Sequence, residues 1–247
     1  MILMANAMMG AAGYQAAAGG DQIFWTPKAE DIGGQPSDLV YSTPFVPGLE
    51  VSVVNLGDVL SANGWPTPGG TTTADTALQL SSDSDARRVM RIDELLGVDL
   101  SGQSDIEVFM SFVLQGRYVG SGGPGVRVSG SAGSENGAFA QLRRSSETER
   151  LNRYDNGAFS LHLSIDRPID YAKKHARIRA EGAALRIQAW DHDEQEPATL
   201  REYIDTSPLP SGGVGFLKFG GDSSFPYIWI FSIGIGLNGA VAPTEPI

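Results

Sequence analysis

The sequence predicts an all-β fold of antiparallel strands, a sandwich or a barrel. Three features of the 247 residues carry that expectation. Glycine and proline number 31 and 14, well above a usual combined share of about 12%, so the chain turns often. Short β-type runs recur from Gln22 onward, separated by clusters of Gly, Pro, Ser, Asn and Asp, the spacing expected of stacked antiparallel sheets. Only residues 169–174 and 198–204 carry a helical pattern, and both are short. A hydrophobic content of 41% is ample for a packed core.

Residues 1–22 are expected to be an arm outside the body, which spans 23–240 and leaves 241–247 as a tail. The first twenty residues, MILMANAMMGAAGYQAAAGG, contain no charge. A secretory signal needs basic residues before its apolar run. Glycine, Asn6 and Gln15 dilute the stretch below what a membrane span requires. Small side chains permit close backbone approach, and methionine fits irregular grooves. Met1, Ile2, Leu3, Met4, Met8, Met9 and Tyr14 are therefore expected to dock into a partner subunit.

Within the body, residues 49–60 predict a strand and its exit, followed by the turn-rich NGWPTPGGTTT. Trp65 in that turn is a candidate contact. Residues 76–80 and 87–92 predict two strands separated by SSDSD. The segment IEVFMSFVL at 106–114 is apolar on both faces in its second half, as a doubly covered central strand would be. The run GSGGPG is expected to turn the chain into a strand at 126–129, with another at 138–142. Alternation is clearest at 159–165, where Phe159, Leu161, Leu163 and Ile165 face one way.

A hairpin of 176–180 and 183–189, closed by Glu181-Gly182, follows. That closure pairs Ile178 with Leu185 and Ala176 with Ile187. It opposes Arg177 to Arg186 and places Arg179, Gln188 and Trp190 on the same polar surface. Strands at 214–219 and 227–235 complete the body. The second, YIWIFSIGI, is apolar on both faces, so either its own chain or a symmetry mate covers it, and a homo-oligomer is expected.

The segment 175–239 resembles the second half of a concanavalin A-like, laminin-G-like jelly roll. The resemblance rests on HARIRAEGAALRIQAW, with Arg177, Ile178, Arg179, Gly182, Leu185, Arg186 and Trp190 at the family's positions. It continues through Glu196-Pro197, SGGVGF at 211–216 and the aromatic strand from Trp229 to Gly234. These motifs are structural and cover about sixty residues. The resemblance implies an antiparallel two-sheet jelly-roll sandwich. Modules of this kind recur in bacteriophage tail, fibre and capsid-decorating proteins, in sugar-binding modules and in glycoside hydrolases, so fold alone does not choose among those roles.

Composition excludes several chemistries. No cysteine is present, so disulfides, thiol catalysis and Cys-ligated metals are ruled out. The net charge of −11 argues against the basic patch that nucleic acid requires. Two stretches, 120–125 and 234–239, match G-x-G-x-x-G but open no helix within a βαβ unit, so they are expected to be turns. No G-x-S-x-G, H-E-x-x-H or P-loop pattern occurs. His162, His175 and His192 are scattered and expected to be exposed. Jelly-roll hydrolases carry three acids on one strand; here only Asp105-Ile106-Glu107 comes near, one acid short, although two acids can suffice.

Asp191, Asp193 and Glu196 are the calcium candidates in an acidic loop that lacks EF-hand geometry, and no cofactor is expected. The polar hairpin face, Arg177, Arg179, Arg186, Gln188 and Trp190, is the candidate surface for an anionic sugar or a partner carboxylate. The plainer account of its opposed arginines is an acid from a neighbouring strand, Glu147 or Glu149. The leading expectation is a non-enzymatic structural component of a bacteriophage virion. It would be made in the host cytoplasm, anchored to other virion proteins by its arm, and located at the tail, baseplate or fibres rather than as capsid decoration. The alternative is a carbohydrate-binding module, or a glycoside hydrolase or lyase, on the same fold, with a host-surface polysaccharide as ligand.

Overall fold

The computed structural model describes residues 15–16, 21–33, 49–82, 88–96, 98–115, 120–131, 133–219 and 227–247. The protein is an antiparallel two-sheet jelly-roll sandwich. In chain order the first strands are β1 (Gln15–Ala16), β2 (Gln22–Trp25), β3 (Leu49–Asn55), β4 (Thr76–Ser82), β5 (Arg88–Arg91), β6 (Ile106–Leu114) and β7 (Ser121–Ser129). They continue as β8 (Asn136–Arg143), β9 (Thr148–Asp155), β10 (Ala158–Asp166), β11 (Lys174–Glu181), β12 (Ala184–Asp191), β13 (Arg201–Ile204), β14 (Gly213–Phe219) and β15 (Ile228–Leu237). The first sheet runs β1-β2-β15-β6-β11-β12-β13, with β4 beside β15 and β3 beside β4. The second runs β10-β9-β8-β7-β14-β5.

The core lies between the sheets. Val108, Met110 and Phe112 of β6, Ile178 of β11 and Ile187 of β12 meet Leu142 and Phe216 from the second sheet, all buried. Phe112 and Phe216 meet edge to face at 5.6 Å, a geometry worth about 0.5–1.5 kcal/mol beyond burial. None of the described helices is long and apolar enough to cross a membrane.

Several expectations change. Residues 56–63 are not a strand exit but helix α1 (Leu56–Asn63). The Asn55 side chain accepts the Asp58 N–H at 3.1 Å, and Gly64 ends the helix at φ 64°, the start and stop chemistry of a short helix. Leu56 and Leu60, one turn apart, press α1 onto Val113 and Trp229. The double covering expected of the last strand thus comes from the same chain, since Trp229, Tyr227 and Phe231 sit beneath this helix. Trp65 joins them, its ring 5.8 Å from Tyr227 and 6.3 Å from Trp229.

The expected helix at 198–204 is strand β13, and 169–174 is irregular chain leading into β11. The GSGGPG run is not a turn: residues 121–125 lie inside β7. Gly234 and Gly236 likewise lie within β15. A Cβ at those two positions would stand 1.9 Å from the Pro243 carbonyl oxygen and 2.1 Å from that of Ala240. Glycine there lets the chain after β15 fold back onto the sheet.

In β10 a bulge between Leu161 and Leu163 splits the expected apolar face. Leu163 and Ile165 pack on the core, whereas Phe159 and Leu161 turn outward and are 51% and 46% exposed. One extra residue in a strand flips everything that follows it. The arm residues from Met1 to Tyr14 lie outside the described residues; Gln15 and Ala16 pair with Phe24 and Ile23 as the outermost strand of the first sheet.

Candidate functional site

The β11–β12 hairpin turns at Gly182-Ala183, so Glu181 pairs with Ala184 and Ile178 with Ile187. The register is two residues away from the expected one. An even shift leaves every side chain on its expected face but changes the partners: Arg179, not Arg177, opposes Arg186, and Arg177 opposes Gln188.

Acids relieve this like charge from both sides, and they are neither Glu147 nor Glu149. One row across the sheet reads Glu107, Arg179, Arg186, Glu202. Arg186 reaches Glu202 and Glu181, each at 2.7 Å. Glu107, 2% exposed, accepts from Arg177, from Arg179 at 3.4 Å and from the Ala242 backbone N–H at 3.1 Å. Arg177 also donates to the Ala242 carbonyl at 2.8 Å and to both oxygens of Glu196. Asp105 accepts from the Gly182 N–H at 3.0 Å. The Asp105/Glu107 pair therefore braces a hairpin and anchors the chain end.

Trp190 is packed against Phe109 and Ala242. His175 stacks on Phe109 at 5.6 Å and lies 5.3 Å from Trp190. That burial, with Lys173 and His192 nearby, pulls its pKa down to about 4. His162 lies against Tyr203 at 4.4 Å, and His192 packs on Gly69 and Gly70. The histidines are thus packed rather than exposed. Of the predicted face, Arg177, Gln188 and Trp190 are buried, while Arg179 and Arg186 are part-exposed and paired.

The calcium candidates do not converge. Asp191 accepts from the buried Lys174 at 2.5 Å, and Glu196 is held by Arg177 and Gln188. Among the described residues no group of three or more His, Cys, Asp or Glu is placed to hold a metal ion.

A different site opens on the flank of the sandwich. Strand β13 pairs β12 only through Ala184–Ile187, so Gln188 and Ala189 have no strand beside them there. A cavity of about 280 Å³ fills that gap, close to the lower end of ligand-pocket sizes. Its polar lining is Glu149 of β9, Arg167, Gln188, Thr199 and Arg201, and Pro197 and Leu200 add apolar surface.

Two of the lining residues carry a buried oxygen with no hydrogen-bond partner, Oε1 of Glu149 and Oε1 of Gln188. Each is set by its neighbours. Gln188 Nε2 donates to Glu196 Oε1 at 2.6 Å; a carboxylate only accepts, so the amide must turn its NH₂ there and its carbonyl away. Arg167 stands 3.5 Å from Glu149 Oε2 and 3.4 Å from Glu194 Oε2, leaving Glu149 Oε1 over. Burial raises the Glu149 pKa, with Arg167 and Arg201 pulling the other way. Gln188 was legible as a candidate from its place on the polar strand face. Glu149 was named only as a partner for the hairpin arginines, because its strand TERLNRYD reads as surface.

No protein-family model matches the chain, and no curated protein matches it. Among solved structures, it is similar to the carbohydrate-binding module CBM66 from Bacillus subtilis, with 19% identity and a TM-score of 0.45 over 66% of this chain and 83% of that one. It is also similar to a Bacillus subtilis protein of unknown function with a galectin-like fold (12% identity, TM-score 0.45, covering 69% and 86%). The galectin LEC-6 of Caenorhabditis elegans is a third (9% identity, TM-score 0.41, covering 64% and 95%).

Proposed function

We propose that this chain is a non-catalytic carbohydrate-binding domain whose site is the flank cavity at Glu149 and Gln188. One observation carries the reading: two residues that line the same small cavity as two arginines, Glu149 and Gln188, each hold a buried acceptor oxygen without a partner. Buried acceptors left unpaired cost about 1–3 kcal/mol each, and hydroxyl groups of a ligand would satisfy them while accepting from the guanidiniums. A sugar ring offers both roles on adjacent carbons and an apolar face for Leu200 and Pro197. Water-soluble apolar ligands would leave the oxygens unpaired.

The test is a glycan array probed with the wild-type chain and with Gln188→Leu, which keeps the side-chain volume and removes the acceptor. Wild type is expected to bind a subset of glycans and the variant to bind them at least tenfold more weakly. A blank array, or one unchanged by Gln188→Leu, overturns the assignment.

The second reading is a virion scaffold anchored by its N-terminal arm. The observation in its favour is that Gln15–Ala16 occupy the edge of the first sheet, and a sheet edge is a place where a neighbouring subunit can pair. Deleting residues 1–14 is then expected to abolish self-association or particle incorporation in light scattering and assembly assays. Unchanged assembly removes this reading.

A further inference from the structure

We infer that the flank cavity selects a sugar bearing a carboxylate, a uronic-acid type of residue, over its neutral counterpart; the inference rests on the carbohydrate-binding reading above. Arg201 is the residue that points to the charge. It is exposed at the cavity lining, and its guanidinium makes neither a hydrogen bond nor a close ion pair with a described residue, although its charge acts on Glu149. Other arginines of this flank are committed: Arg167 to Glu149 and Glu194, Arg177 to Glu107 and Glu196, Arg153 to Asp205. Arg201 alone of this set can offer its planar fork to a new partner, and that fork matches a carboxylate bidentately.

The charge balance agrees. Arg167 is balanced by Glu149 and Glu194, which leaves Arg201 as the cation of the lining with no acid of a described residue at ion-pair distance, on a chain whose net charge is −11. The ligand's hydroxyls would meet Glu149 and Gln188, and its carboxylate would meet Arg201. An ammonium-bearing sugar suits the two acceptors but places its charge beside two cations.

The experiment is an array carrying each uronide beside its parent neutral hexoside, probed with wild type, Arg201→Gln and Arg201→Lys. Wild type is expected to bind at least one uronide tenfold or more above its parent. Arg201→Gln is expected to collapse that preference at least tenfold, and Arg201→Lys to restore part of it, since the charge returns without the fork. Neutral hexosides bound as well as uronides, or a uronide preference that survives in Arg201→Gln, overturns this inference and leaves carbohydrate binding standing. No binding to any glycan overturns both.

Discussion

Arg177→Ala is expected to lower stability by about 3–5 kcal/mol, the cost of leaving buried charge without its partner. Arg177 is 4% exposed and joins three parts of the fold: Glu107 on β6, Glu196 in the loop after β12, and the Ala242 carbonyl of the chain end. Its removal leaves Glu107, itself 2% exposed, with only the 3.4 Å Arg179 contact and the Ala242 N–H, and frees the loop that holds Gln188 through Glu196. At roughly 2–4 °C per kcal/mol for a chain of this size, the melting temperature should fall by about 10 °C. Arg186→Ala is the control. Its partners Glu181 and Glu202 are 48% and 45% exposed, so exposed-pair energetics of about 0–1 kcal/mol apply. Circular dichroism melts of the two variants decide the matter; equal, small losses would mean that the Arg177 network contributes no more than a surface ion pair.

Such a contrast between two arginines nine residues apart shows how far the sequence speaks. Period-two patterning along HARIRAE and ALRIQAW was enough to place both on the outer face, because face depends only on parity. Which of them would be buried depended on the 239–243 segment folding back over Gly234 and Gly236, and no local pattern announces that. Helix α1 carried its signals, Asn55 as cap and Gly64 as stop, but its apolar stripe is one turn of Leu56, Val59 and Leu60, too short to overrule the turn-like NGWP. Strand β13, REYI, is an edge strand with three of its four residues exposed, so it lacks the buried face that makes a strand legible.

The flank cavity was the least visible feature. Glu149 and Arg153 of β9 point toward the other sheet and meet Arg167 and Asp205, partners 18 and 52 positions away in sequence. A charged strand whose charges are neutralised by distant chain looks like surface until the fold is known. The β10 bulge belongs to the same class, since nothing in FSLHLSI marks where the extra residue sits.

The glycine run of β7 gives the second large effect, and it is where composition misled most directly. Gly123→Ala would bring a Cβ to 1.8 Å from the Ala140 carbonyl oxygen of β8, an atom fixed by the sheet rather than by a movable side chain. A Cβ at Gly125 would also meet the Phe139 ring, at 2.3 Å, and one at Gly122 the Phe216 ring at 2.9 Å. Aromatic rings from outside and inside the sandwich thus lie where β7 side chains would stand, which is why a run with poor strand propensity forms a central strand. Gly123→Ala is expected to cost about 3 kcal/mol, the upper part of the usual overpacking range, because β8 must separate from β7 to admit the methyl. The same displacement passes to β9, where Glu149 pairs with Leu142, so ligand binding at the flank cavity should weaken along with stability. Gly102→Ala is the matched control: nothing lies within 4 Å of its Cβ position, and alanine there should be neutral or slightly stabilising. Urea denaturation of both variants separates the cases. If Gly123→Ala proves as harmless as Gly102→Ala, residues 121–125 are not a packed strand, and the second sheet loses the contact between its halves.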